Sequence, residues 1–277
     1  MANNLSKEKR AQIVRCLVEG NSIRATCRLT DSSKDAVIRL VTLLGPACLE
    51  YHDKHFRGLN CQRIQCDEIW SFIGCKEQHL KPEDRGQGRG DCYTWTAIDP
   101  DSKLIVAWHV GSRAANDGFL FIEDLKNRLA NRPQITTDAY GIYKKAIAYV
   151  FGVEVDYGTA TKVFHTPKDD LRIEARYSPS KCKEVTKKVI IGEPDEDHIS
   201  TSHNERHNLT MRMHMRRFTR LTNAFSKKLE NHAYAVAIHM LWYNMVRIHQ
   251  TLRATPAMAA GISDHVWEMD ELIDLIG

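Results

Sequence analysis

Three acidic side chains occupy positions from which they could take part in chemistry: Asp67, Asp138 and Glu205. Asp67 interrupts the apolar stretch CDEIWSFIG, which predicts a buried β-strand, and burying a carboxylate is costly unless it is paired, protonated or bound to metal. Three convergent carboxylates would form an oxygen-rich site suited to Mg²⁺ or Mn²⁺. Two such ions about 3.5–4 Å apart can activate an attacking oxygen and stabilise a leaving one during phosphodiester cleavage.

Each acid also has a simpler explanation. Asp138 ends the strand-like run QITTD, where it could cap a helix that begins at Ala139. Glu205 lies in STSHNERHNL, where it could be a solvated glutamate near a helix start. Asp67 and Glu68 are adjacent, so they point to opposite faces of a strand and only one of them can serve. Their spacing leaves open which one it is.

The elements that must position these acids begin at about residue 62. RIQCDEIWSFIG, DCYTWTAID and LIVAWHVG predict strands, because β-branched and aromatic residues recur in short runs. NDGFLFIEDLKNRLA and AYGIYKKAIAYVF predict helices that alternate with the strands QITTD and VEVDY, and further helices follow. This order predicts an α/β fold with a mixed sheet flanked by helices, as in ribonuclease-H-like domains. The first and fourth strands can be neighbours there, which would place Asp67 beside Asp138 and let a helix bring Glu205 close.

The N-terminal segment differs in character. LSKEKRAQIVRCLVE, SIRATCRLT and SSKDAVIRLVTLLG each predict a short helix, with Ser32 or Ser33 capping the third and Gly45-Pro46 breaking it. The tight turn before the second helix is typical of a helix-turn-helix, and an ordinary helical bundle is the alternative. Four cations lie on or beside the second and third helices, where phosphate contacts require them: Arg24, Arg28, Lys34 and Arg39.

Composition limits the class of protein. The chain has 277 residues, of which 43% are hydrophobic and 27% charged, as in an ordinary soluble globular protein. The cysteines include no CxxC pair, which argues against a zinc ribbon. No apolar leader and no bilayer-length apolar run is present, so we expect a cytoplasmic protein with no membrane partner. We predict an all-α helix-turn-helix domain at 1–58 and a ribonuclease-H-like catalytic domain at 59–277, with a basic insertion at about 158–200 and a helical tail.

A one-sided run of cations follows Glu205. Residues 206–228 contain seven Lys or Arg and no Asp or Glu. Leu209, Arg212 and Arg216 follow Glu205 along one helical face. Such a surface suits the phosphate backbone of DNA, and a solvated basic helix is the alternative. The predicted DNA contacts in this run are Arg206, Arg212, Arg216, Arg217 and Arg220.

The motifs QCDEIWSFIG, ITTDAYGIY and HISTSHNERHNLTMRM resemble the catalytic core of DDE transposases of bacterial insertion sequences, in particular the insertion-sequence-one group. The resemblance covers nearly the whole chain. It departs in one respect, because that group often has a cysteine-rich zinc finger before its helix-turn-helix and this chain has no such spacing. The tail resembles the integrase-like pattern that follows the last catalytic helix, here Asn244, Arg247, His249, Leu252, Thr255 and Pro256.

The resemblance implies a site and a reaction. Asp67, rather than Glu68, is the expected first metal ligand, and Asp138 and Glu205 complete the set around two Mg²⁺ ions. The implied reaction is DNA transposition, in which a 3′-hydroxyl is exposed at each transposon end and then attacks target DNA. A homo-oligomer in the bacterial nucleoid is expected, because two ends are cut and joined together.

Other functions have different sequence signatures. HNERH places its glutamate two residues after the first histidine, about 200° round a helix, whereas zinc peptidases of the HExxH type place it at about 100°. GQGRGD lacks the GK[ST] ending of a phosphate-binding loop. Two competing interpretations stay open: a helix-turn-helix regulator with a non-catalytic second domain, and a ribonuclease-H-like nuclease that cuts without joining.

Overall fold

In the computed structural model, residues 5–84, 86–165, 181–219 and 222–277 are described. They form a mixed α/β fold around a six-stranded sheet in the order β3-β2-β1-β4-β5-β6. The central strand β1 is antiparallel to β2 and parallel to β4, and β4 is parallel to β5. This arrangement is compatible with a ribonuclease-H-like fold. The strands are β1 (Arg63–Ile73), β2 (Gly90–Ile98), β3 (Ile105–Gly111), β4 (Gln134–Thr137), β5 (Asp156–His165) and β6 (Lys181–Ile191).

Helices cover both faces of the sheet. On one face, Trp95 of β2 is fully buried against the rings of Phe121 and Tyr143, which come from two different helices. On the other face, Ser71 of β1 contacts His232 at 3.3 Å. The helices are α1 (Lys7–Val18), α2 (Ile23–Thr30), α3 (Lys34–His55), α4 (Ala115–Arg128), α5 (Gly141–Phe151), α6 (Ser202–His214), α7 (Leu229–Met245), α8 (Pro256–Ala259) and α9 (Met269–Asp274).

The third helix is longer than its sequence pattern indicates. Ser33 caps it by accepting a hydrogen bond from the N–H of Ala36, but the predicted break at Gly45-Pro46 is wrong, because α3 continues through Pro46 to His55. Packing overrides the proline, since α3 packs against α7 and has buried residues on both sides of Pro46. Gly45 allows a close approach there: a Cβ atom at this position would lie 2.3 Å from Cβ of Tyr234.

The N-terminal helices share one hydrophobic core with the rest of the described chain. Helix α3 packs along α7, and α1 packs against α9. Arg128, at the end of α4, donates hydrogen bonds to the carbonyl oxygens of His52 and Phe56, both at 3.3 Å. The C-terminal end of α3 is thereby held to the sheet domain.

Two residues of the tail pattern have structural contacts. Asn244 accepts a hydrogen bond from the N–H of Ile105 at 3.0 Å and donates one to its carbonyl oxygen at 2.9 Å. It therefore covers the edge of β3, which is the last strand on this side of the sheet within the described residues. Thr255 is the N-cap of α8 and accepts from the N–H of Met258.

The predicted basic insertion at 158–200 contains regular structure. Its described parts include most of β5 and all of β6, which pair antiparallel, and residues 166–180 lie outside the described residues. The predicted strand VEVDY begins later than expected, at Asp156, and continues to His165. Strand β6, with the sequence KCKEVTKKVII, was not predicted. It is largely exposed and has no apolar face, so its sequence lacks the alternation that indicates a strand. No helix in the described ranges is long and apolar enough to cross a membrane.

Candidate active site

Asp67 lies midway along β1 on the face covered by α6. It is paired in register with Thr96 of β2. Its Oδ1 accepts a hydrogen bond from the N–H of Glu68 at 2.8 Å, and its Oδ2 accepts one from Nδ2 of Asn208 at 2.8 Å. The carboxylate is therefore oriented by one backbone donor and one side-chain amide.

Asp138 directly follows β4, the parallel neighbour of β1. Gln65 is in register with Thr136, and continuing that register by two residues places Asp138 opposite Asp67. Oδ1 of Asp138 accepts a hydrogen bond from the N–H of Tyr140 at 2.9 Å, at the start of α5. The predicted helix cap at Asp138 is wrong, because α5 begins at Gly141 with Tyr140 as its N-cap and no side-chain capping bond; the Asp138 contact is a local turn contact instead. Asp138 lies directly after β4, and the extended register places it next to Asp67.

Helix α6 is fastened to β1 and β2 by a buried asparagine. Nδ2 of Asn204 donates to the carbonyl oxygens of Gln65 and Thr96, both at 2.8 Å. Oδ1 of Asn204 accepts from the Thr96 hydroxyl at 2.8 Å. Asn208 follows one turn later and reaches Asp67, so the two asparagines define the face of α6 that meets the sheet.

Glu205 is held beside that face by two contacts. Its Oε2 forms an ion pair with Nζ of Lys162 on β5, and its Oε1 accepts a hydrogen bond from the Thr201 hydroxyl at 2.8 Å. The Glu205 side chain is 42% exposed. Helix α6 therefore contacts β1 through Asn208 and Asp67, and β5 through Glu205 and Lys162.

The acids influence one another electrostatically. Burial is the largest of the effects that raise the pKa of Asp67 from its ordinary 3.8 to about 7, and the charges of Glu68, Asp138 and Glu205 contribute to the same rise. A divalent cation would relieve this repulsion, and an all-carboxylate donor set suits Mg²⁺ or Mn²⁺. Among the described residues, no three His, Cys, Asp or Glu side chains stand together as a ready metal-binding group.

Glu68 points to the opposite face, toward α5. Its side chain is only 3% exposed, and Nη2 of Arg113 lies 2.6 Å from its Oε1. The hydroxyl of Tyr143 donates to its Oε2 at 2.9 Å. Burial and the charge of Asp138 raise the pKa of Glu68, and Arg113 and Tyr143 oppose that rise. Both Glu68 oxygens are thus engaged away from α6, where Asp67 faces Asn208.

The predicted DNA-contact residues fall into different environments. Arg217 is not the exposed surface cation that was predicted. Its guanidinium donates to Oγ of Ser226 and to the carbonyl oxygen of Asn231, both at 3.0 Å. Burial lowers the pKa of Arg217 to about 10. Arg212 is half-buried, and Arg220 lies outside the described residues. The exposed members are Arg24, Arg28, Lys34, Arg39, Arg206 and Arg216.

Sequence reasoning missed several residues of this region. Asn204 and Asn208 carry a usable signal, because two asparagines one turn apart inside a helix must satisfy their amides somewhere. Lys162 and Arg113 carry no local signal, since each meets its acid only through the tertiary fold.

Comparison with known proteins adds little to this geometry. No protein-family model matches the chain, and no curated protein does. Among solved structures, the chain is similar to a piggyBac transposase in a synaptic complex with hairpin DNA, with a TM-score of 0.38 and 10% identity over 98% of this chain and 70% of that one. A similarity at this level carries no inference about function.

Proposed function

We propose that the chain is a DNA transposase of the DDE type, similar to the insertion-sequence-one group, with Asp67, Asp138 and Glu205 as its catalytic acids. The observation that carries this proposal is the arrangement of the acids. Asp67 lies on β1, Asp138 directly follows the parallel neighbour β4, and Glu205 lies on a helix whose Asn208 contacts Asp67. The three come from segments far apart in sequence, and the charges of the other two raise the pKa of Asp67.

The carboxylates of Asp67, Asp138 and Glu205 would hold two Mg²⁺ or Mn²⁺ ions. When bound, these ions supply activation of the attacking oxygen and stabilisation of the leaving oxygen. The protein supplies the positions of the ligands: β1 places Asp67, the turn after β4 places Asp138, and Asn208 orients Asp67. Lys162 holds Glu205 through an ion pair, and its ammonium group would have to leave that carboxylate for Glu205 to hold a metal ion.

The N-terminal helices would recognise transposon ends as a helix-turn-helix within residues 1–58. Helices α2 and α3 are joined by a short turn in which Asp31 adopts a left-handed conformation, with φ of 47°. Exposed cations on these helices are suited to phosphate contacts, as are Arg206, next to Glu205 in α6, and Arg216, just after α6 ends. The partners are then transposon-end DNA and target DNA, bound by a homo-oligomer.

The test is incubation of the purified chain with its own flanking DNA and Mg²⁺, scoring nicked and joined products separately. Asp67→Asn, Asp138→Asn and Glu205→Gln should each abolish both products. Glu123→Gln, which removes an exposed acid on α4, is the matched control and should retain them. Nicks without joined products would indicate a nuclease, and binding without any cleavage would indicate a DNA-binding regulator.

A further inference from the structure

Arg113 connects the strand that carries Asp67 to the turn that carries Asp138. It lies in the loop between β3 and α4. Its Nε donates to Oε1 of Glu68 at 2.8 Å, and its Nη2 lies 2.6 Å from the same oxygen. Glu68 adjoins Asp67 in β1, so Arg113 contacts the backbone neighbour of the first candidate ligand.

The other side of Arg113 faces Tyr140. The guanidinium lies 4.1 Å from the centroid of the Tyr140 ring, within the range of a cation–π contact. The Tyr140 hydroxyl donates to the carbonyl oxygen of Arg113 at 2.6 Å. The N–H of Tyr140 in turn donates to Asp138, so a continuous set of contacts runs from Glu68 through Arg113 and Tyr140 to Asp138.

The loop that carries Arg113 is itself fixed. Oδ2 of Asp117 accepts from the N–H of Ser112 at 3.0 Å, and Oδ1 of Asp117 contacts Nε2 of His109 at 2.7 Å. The indole N–H of Trp95 donates to the carbonyl oxygen of Ser112 at 3.0 Å. Arg113 therefore acts from a rigid support on the face of the sheet opposite to α6.

We propose that Arg113 is a positioning residue that sets the relative placement of Asp67 and Asp138 by clamping Glu68 and Tyr140 together. The inference rests on the proposed function, because it assumes that these acids bind a divalent cation. Arg113 is not a ligand, since its side chain lies on the Glu68 side of β1.

Charge and position make opposite predictions for the loss of Arg113. If the residue acted only through its charge, removing a cation near the acids would tighten the binding of a divalent metal. If it positions the acids, removing it weakens metal binding. Losses of residues that orient metal ligands are typically about tenfold or more in affinity.

The experiment measures Mn²⁺ affinity by calorimetry on the full chain without DNA, so that it does not depend on activity. Arg113→Gln and Arg113→Lys should both weaken Mn²⁺ binding about tenfold, because lysine keeps the charge but loses the planar stack and the fork of donors. Arg132→Gln is the matched control, since it removes an arginine paired with Asp156 at 2.5 Å elsewhere on the sheet. It should bind Mn²⁺ as the unaltered chain does.

Unchanged or tighter Mn²⁺ binding by folded Arg113→Gln would overturn the positioning role, as would wild-type affinity in Arg113→Lys. If Arg113→Gln does not fold, Tyr140→Leu breaks the clamp at its other end and should give the same loss. Asp67→Asn separates the two proposals. If it does not weaken Mn²⁺ binding, the proposed function fails and the role of Arg113 fails with it.

Discussion

Replacing Asp67 with asparagine should stabilise the metal-free protein at alkaline pH. The pKa of Asp67 is about 7 in the folded chain, against an ordinary 3.8. Between these two pH values the folded chain keeps a proton on Asp67 that the unfolded chain has lost. The raised pKa lowers the free energy of unfolding. This loss of stability is absent below the ordinary pKa, grows as the pH rises, and reaches its full size above pH 7. It amounts to roughly 4 kcal/mol at pH 8 and roughly 2 kcal/mol at pH 5.

Asparagine removes this cost and leaves the local hydrogen bonds satisfiable. Oδ1 of Asn208 has no hydrogen-bond partner within the described residues, so a flip of that amide lets it accept from the new side chain. Contributions that do not depend on pH cancel when two pH values are compared. The stabilisation by Asp67→Asn should therefore be about 2–3 kcal/mol larger at pH 8 than at pH 5.

Urea denaturation at the two pH values, in chelator and then in millimolar Mg²⁺, measures this difference. Mg²⁺ should stabilise the unaltered chain more than the variant, because the variant lacks one anionic ligand. Glu123→Gln controls for the loss of an acidic charge. An equal effect of Asp67→Asn at pH 5 and pH 8 would refute the assignment of a buried, repelled carboxylate at this position.

Three further predictions concern packing, DNA and metal. Gly45→Ala should destabilise the fold by about 1–3 kcal/mol, measured by urea denaturation, because the added methyl group would push α3 away from Tyr234. Gly141→Ala is the control and should not destabilise the fold, because its methyl group meets no atom within 4 Å. Arg206→Ala and Arg216→Ala should each lower the slope of log affinity against log salt by about one in DNA titrations, and an unchanged slope would remove that residue from the DNA surface. Ca²⁺ should support DNA binding with little cleavage in a strand-cleavage assay, because its coordination is larger and looser; full cleavage in excess chelator would contradict a metal mechanism.

The sequence predicted those helices and strands that depend on residues close together in the chain. The helix with apolar residues at Phe121, Ile122 and Leu125 and the strand before Asp138 appear close to their predicted places. The mixed sheet with helices on both faces is also present. These features follow from periodicity and turn residues, which a short window of sequence contains.

Features that depend on distant partners were not predictable. Pro46 lies inside α3, which packs against the distant helix α7, and no residue near Pro46 in the sequence indicates this packing. Arg217 looked like a surface cation, but its guanidinium contacts Ser226 and Asn231. Alternation in β1 predicted that Asp67 and Glu68 face opposite ways, and only the fold gives Glu68 its contact with Arg113.

The central claim is that Asp67, Asp138 and Glu205 form one divalent-metal site. Anomalous diffraction at the manganese edge, from crystals of the chain with flanking DNA and Mn²⁺, tests it most directly. We expect manganese bound by carboxylate oxygens of Asp67 and Asp138, with Glu205 completing the site and Lys162 withdrawn from it. Manganese bound by Glu68 instead, or absent from Asp67 in crystals whose DNA has been cut, would contradict the claim.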